Sequence, residues 1–278
     1  MLTTDARLRA AVSGAPDALT LTLDPAFQGL PDTAHGGTLL AIFDALARPD
    51  SAREIVGHYR RRVPLGTPLT LAVGASGDGV SCRVLDAAGA VLVEGRVDPT
   101  GREARPVATP PPSGEPLPIS RTCFACGIDN PIGLRAALAF DARGVGGEWR
   151  PDARFLAEDG RLAPVALTTL LDEAAFWLGA LATGESGMTT ELRVTLHDPA
   201  PRAERVHVSG ERGAVRPRPD DPRYWETRIA ATDDRGRLLA SAAITFVTIR
   251  GAARRLVSGL LANNDAAVLR RIFPAYTA

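Results

Sequence analysis

The chain contains no lysine: all 32 basic residues among its 278 are arginine. That absence removes every mechanism built on a lysine nucleophile or a Schiff base. An excess of one charge is missing too. The 32 acidic residues bring the formal net charge to zero, so a strongly basic face of the kind that holds nucleic acid is not expected. Cysteine is scarce. Cys82, Cys123 and Cys126 are too few for a disulfide framework, and a reduced, cytoplasmic protein is the expectation. No apolar run of membrane-span length stands out, and the opening residues MLTTDARLRAAV lack the apolar core of a signal peptide. No membrane partner is therefore expected. What is present is ordinary for a globular protein: 45% hydrophobic and 23% charged residues, on a chain long enough for two cores.

A proline-rich stretch, RPVATPPPSGEPLP over residues 105–118, has the composition of a linker. The order of elements on its two sides is the same. In the first half, alternation predicts a strand at residues 18–23, then a helix over about 37–47. Strands follow at 53–61, 69–75, 80–85 and 90–97, separated by turn residues that suit hairpins. The second half repeats this, with strands at 133–140 and 145–149, a helix over about 163–182, and strands at 188–197, 204–211, 224–232 and 237–249. A final amphipathic helix over about 252–272 has no counterpart in the first half. The helices align through their acids, Leu39-Leu40-Ala41-Ile42-Phe43-Asp44-Ala45 with Leu167-Thr168-Thr169-Leu170-Leu171-Asp172-Glu173.

Chemistry concentrates at two places. His35-Gly36-Gly37 runs straight into the first apolar helix. Glycines at a helix start leave backbone N–H groups open to an oxygen that gains negative charge. Asp44 follows on that same helix, and a charge buried among apolar residues is costly without a purpose. An oxyanion site and a carboxylate on one element suggest acyl transfer. In the second helix Ala163-Pro164 stands where the glycines would be, and Pro164 removes an N–H. Asp172 and Glu173 remain, and this end reads as partly degenerate. The second place is Cys123-Phe124-Ala125-Cys126-Gly127. A lone CxxC is half a zinc site; no second pair exists, and His197 and His207 sit on successive strands, so no metal is expected. The run His58-Tyr59-Arg60-Arg61-Arg62 reads as solvated charge at a sheet edge, with coenzyme A phosphates as the alternative.

The HGG helix start with its helix carboxylate resembles the hotdog-fold acyl-CoA thioesterases. CFACGIDNPIGLR resembles the entry segment CFxCGxxNPxGL of one branch of that superfamily. The resemblance covers residues 18–97 and 122–249 and implies an α+β tandem double hotdog, with two antiparallel sheets each wrapped around a central helix. It divides the chain into a first hotdog domain (1–104), a linker (105–120), a second hotdog domain (121–250) and a C-terminal helix (251–278), the halves pairing as an intramolecular pseudo-dimer. Association of two whole chains is left open. The implied reaction is hydrolysis of an acyl-CoA to the free acid and coenzyme A, without metal or further cofactor. Asp44 is the base, Gly36 and Gly37 hold the oxyanion, His35 shapes the loop, and Asp172 and Glu173 complete the site across the halves. Gln28 is a candidate for holding water or the carbonyl, and Thr168 and Thr169 for presenting hydroxyls to the ligand. The alternatives are a hydratase or dehydratase on the same fold, which needs an Asp–His pair or a His with an acid across the interface, and a non-catalytic acyl-CoA-binding or scaffold protein.

Overall fold

The computed structural model describes residues 2–47, 51–101, 114–157, 159–197 and 203–276. Its first half comprises α1 (Thr4–Ala10), β1 (Val12–Ser13), β2 (Leu19–Leu21), α2 (Gly36–Ala47), β3 (Arg53–Tyr59), β4 (Leu69–Ser76), β5 (Gly79–Leu85) and β6 (Val91–Pro99). Then come β7 (Glu115–Pro116), β8 (Ala139–Phe140), β9 (Gly144–Trp149), α3 (Pro164–Thr183), β10 (Gly187–Leu196) and β11 (Val206–Glu211). The chain closes with β12 (Arg216–Pro217), β13 (Tyr224–Asp233), β14 (Leu238–Thr248), α4 (Ala252–Leu260) and α5 (Ala266–Ile272).

The strand order β2-β4-β5-β6-β3 of the first half is mirrored by β10-β14-β13-β11-β9 in the second. The two half-sheets meet where β3 and β10 pair antiparallel, from His58 opposite Glu191 to Arg53 opposite Leu196. Two separate sheets would leave the backbone edges of β3 and β10 without partners. Instead the described strands form one continuous 14-stranded sheet, all of whose pairings are antiparallel. Each half curves around its own apolar helix. Leu39, Leu40, Ile42 and Phe43 of α2, and Leu167, Leu170, Leu171 and Leu178 of α3, are buried. Alternating inward residues such as Leu192, Val194 and Leu196 on β10 complete the core.

Four sequence expectations change. The strand at 133–140 shrinks to Ala139–Phe140, because Leu134 and Ala136 donate their N–H groups to Phe124 and Ala125 of the cysteine segment. The final helix breaks in two. Asn264 turns its side-chain amide onto the backbone of Ile119 in both directions, at 2.7 and 2.8 Å, and Asp265 caps α5 through the Ala267 N–H at 2.7 Å. Of the linker, residues 105–113 lie outside the described residues, while Glu115–Pro116 pairs with β8 as strand. Helix α3 has the length and apolarity to cross a membrane. Asp172 and Glu173 hide this in the linear run, and nearly all of the helix is buried inside the protein.

α2 and α3 pack directly on one another. A Cβ added to Gly37 would stand 2.4 Å from the Thr168 carbonyl oxygen and 2.7 Å from the Thr169 Cα. Thr168 Oγ1 donates to the Gly37 carbonyl at 2.7 Å, sealing the contact. The second glycine of HGG therefore serves helix–helix approach. Gly37→Ala is expected to force the helices apart at a cost of about 1–3 kcal/mol, read as a Tm lowered by roughly 3–10 °C for a chain of this size in a thermal melt.

Candidate functional site

The site lies where the N-terminus of α2 meets the middle of α3. α2 is entered through a turn that begins with Asp24 and buries Phe27, and α3 through the same turn with Asp152 and Phe155. Residues 24 and 152, 27 and 155, and 44 and 172 share one spacing of 128, so the repeat runs through the loops as well as the helices. In the first half that turn delivers His35 to the interface. Its counterpart, Ala163, brings no functional group.

Asp172 projects from α3 to the start of α2. Its Oδ2 accepts from the Gly37 N–H at 3.1 Å and lies 3.2 Å from His35 Nδ1. Its Oδ1 accepts from Thr189 of β10 at 3.3 Å. Glu173 Oε1 accepts from the Trp177 indole N–H at 2.9 Å, while Oε2 lies 3.7 Å from His35 Nε2. His35, Asp172 and Glu173 are 5%, 7% and 8% exposed, so their mutual contacts are little screened by water. Tyr59 closes the group by donating its hydroxyl to the Gly36 carbonyl at 2.7 Å.

Burial alone pushes the His35 pKa down. The hydrogen bonds to Asp172 and Glu173, with the Asp172 charge, outweigh it and hold the imidazole well above its ordinary value. Burial, then the Asp172 charge, push the Tyr59 phenol well up. Beside them the Cys126 thiol donates to Cys123, which lowers the pKa of Cys123 and raises that of Cys126. Cys82, in the sheet, is pushed up by burial to about 12 and is an inert core thiol.

His35, Tyr59, Cys123, Cys126, Asp172 and Glu173 line a cavity of about 410 Å³. Apolar walls come from Leu39, Val63, Phe176, Leu256 and Leu260, the last two on α4. The C-terminal helical segment thus forms a wall of the cavity. Arg62 and Arg255 are exposed lining residues that make no ion pair among the described residues.

Several sequence expectations need correction. Asp44 does not line this cavity. It is 4% exposed, and Arg53 grips both of its oxygens, Nε to Oδ1 at 2.7 Å and Nη2 to Oδ2 at 2.8 Å. A carboxylate so clamped is a structural charge pair, which answers the cost of its burial without assigning it chemistry. Gln28 does not line the cavity either. Its amide donates to Thr122 Oγ1 at 2.7 Å and accepts from the Asp32 N–H at 3.1 Å, tying the first-half loop to the cysteine segment. Thr168 spends its hydroxyl on Gly37, and Thr169 is fully buried away from the cavity. Gly36 lines the cavity, and as the first helical residue its N–H has no intrahelical acceptor, whereas that of Gly37 is already given to Asp172. Of the residues named from the sequence, the structure brings together His35, Gly36, Gly37, Asp172 and Glu173. It adds Tyr59, Cys123, Cys126, Trp177 and Thr189, which the sequence reading did not assign to the site. Only Cys123 and Cys126 carried a signal, in their spacing.

His35, Cys123 and Glu173 are also the residues able to hold a metal ion: their ligand atoms all lie within 4.8 Å of one another, and all three are buried.

No protein-family model matches the chain, and no curated protein does. Solved structures do. A protein named a thioesterase II from Thermobifida fusca YX superposes with a TM-score of 0.63 at 18% identity, over 88% of this chain and 99% of its own. A conserved protein with a hot dog fold from Alicyclobacillus acidocaldarius gives 0.64 at 12%, over 91% and 100%. GphF Dehydratase 1 gives 0.57 at 19%, over 85% and 96%. At such identities the likeness is one of fold, and that fold is the hot dog fold.

Proposed function

We propose that this chain, with its hot dog fold in two halves, hydrolyses an acyl thioester, and that Asp172 is its base. The observation that carries the reading is the Asp172 carboxylate itself: buried, facing an apolar cavity, and held there by donors from both halves. Water held between Asp172 Oδ1 and Thr189 Oγ1 loses its proton to the carboxylate as it attacks the thioester carbonyl; the tetrahedral intermediate then collapses with cleavage of the C–S bond, and Asp172 returns the proton to the departing thiolate. The Gly36 N–H and the His35 imidazole are the donors nearest to an oxygen gaining charge at this point. The apolar walls take the acyl chain, and Arg62 and Arg255 at the exposed side suit the phosphates of coenzyme A. The test is thiol release from short, medium, long and aromatic acyl-CoAs by the wild type, Asp172→Asn and Asp44→Asn. Turnover lost in Asp172→Asn and kept, per folded molecule, in Asp44→Asn supports the reading; turnover lost only in Asp44→Asn sinks it.

One observation favours a second reading. His35 and Asp172 come from opposite halves and stand 3.2 Å apart, which is the cross-interface His–acid pair that hydration or dehydration of an acyl thioester requires. Addition of water to a 2-enoyl-CoA, followed by loss of enoyl absorbance without thiol release, would select it.

A further inference from the structure

We propose that His35, Cys123 and Glu173 form a binding site for one zinc-like divalent cation, open to the cavity. A catalytic zinc site takes three protein ligands in a tetrahedral arrangement and leaves a fourth position for water or substrate. The three ligand atoms here lie within 4.8 Å of one another, are buried, and line the cavity. His35 and Glu173 are brought to the cysteine from distant parts of the chain.

The surroundings are those of a ligand set. A metal-bound histidine commonly gives its other ring N–H to a carboxylate, and bound carboxylates are themselves hydrogen-bonded. His35 Nδ1 lies between Asp172 Oδ2, at 3.2 Å, and the Gly37 N–H, from which it accepts at 3.3 Å, leaving Nε2 towards Glu173 Oε2 at 3.7 Å. Trp177 fixes Glu173 through Oε1 at 2.9 Å, leaving Oε2 free to coordinate. The Ala125 N–H donates to Cys123 Sγ at 3.3 Å, a bond that strengthens with negative charge on sulfur. The turn that delivers this sulfur is tight: a Cβ at Gly127 would stand 2.2 Å from the Cys123 carbonyl oxygen. The thiolate selects a borderline-soft ion such as zinc over magnesium or calcium. Binding releases the Cys123 thiol proton and the His35 Nε2 proton to solvent, with no redox change.

The test uses the full chain, stripped with a chelator, then titrated with Zn²⁺ against a chromogenic competitor and separately with Co²⁺. The expected result is one equivalent bound in the sub-micromolar range, a Tm that rises with Zn²⁺, and a thiolate-to-cobalt charge-transfer band with tetrahedral visible bands. Cys123→Ser removes the charge-transfer band, Glu173→Gln weakens binding at least tenfold, and Asp172→Asn, which removes the histidine's orienting charge, weakens it about 10–100-fold. Cys126→Ser keeps the band. Substoichiometric binding with no charge-transfer band in the folded wild type overturns the site without reference to any variant. A band that survives Cys123→Ser overturns the ligand set. These readouts are independent of the hydrolase reading: bound metal without thiol release leaves this site standing, and thiol release by a chain that fails to bind Zn²⁺ or Co²⁺ leaves only the hydrolase.

Discussion

Asp172→Asn is expected to lower thioester hydrolysis by about two to four orders of magnitude, the usual share of a general base, with the loss in kcat and little change in KM. The substitution is nearly isosteric. The asparagine carbonyl still accepts from the Gly37 N–H, and its amide reaches Thr189, so the contacts that hold the side chain at 3.1 and 3.3 Å persist. What is removed is the capacity to take a proton from water, together with the negative charge beside His35. Glu173→Gln is the matched comparison, since its carbonyl continues to accept from Trp177. A full loss in Glu173→Gln with an intact Asp172→Asn would transfer the base to Glu173. Steady-state kinetics on one good acyl-CoA, with circular dichroism to establish folding, decides between them.

The largest stability effect is expected at the opposite end of α2. Arg53→Met leaves Asp44 buried and uncompensated, and Asp44→Leu does the same to Arg53. Each single change is expected to cost about 3–5 kcal/mol, while the double variant Asp44→Leu/Arg53→Met recovers most of that loss. The reason is desolvation. Both groups are below a tenth exposed, so each ion is tolerable only because the other is bound to it by two hydrogen bonds. Urea denaturation of the four proteins measures the coupling. Equal and additive losses would mean that water reaches the pair. In the same proteins, thiol release per folded molecule is expected to stay at the wild-type level, because neither residue lines the cavity.

These two positions also mark where a linear reading succeeds and fails. Asp44 and Asp172 occupy equivalent places in the repeat, and each sits on an apolar helix. Periodicity finds both and treats them alike. What separates them is a partner: Arg53, at the start of β3, reaches Asp44, and among the described residues no arginine is paired with Asp172. The HGG motif was legible as a special helix start, but the reason for its second glycine was not, because the Thr168 backbone that demands it lies on another helix. Gln28 has the residue type of a water-holding amide, yet its partner Thr122 opens the other half. Cys123 reads as half of a metal motif only while the search is confined to nearby sequence. Its neighbours His35 and Glu173 are 88 and 50 residues away.

The sequence by itself determined the two apolar helices and the duplicated order of strands, because residue period and turn chemistry act over a few neighbouring positions. Tertiary structure alone decided which acid faces the cavity, that the two half-sheets join through β3 and β10, and that a histidine from one half meets two carboxylates and a thiol from the other. Those outcomes depend on how closely α2 can approach α3 and on which buried charge finds an arginine, and neither is a property of any short stretch of chain.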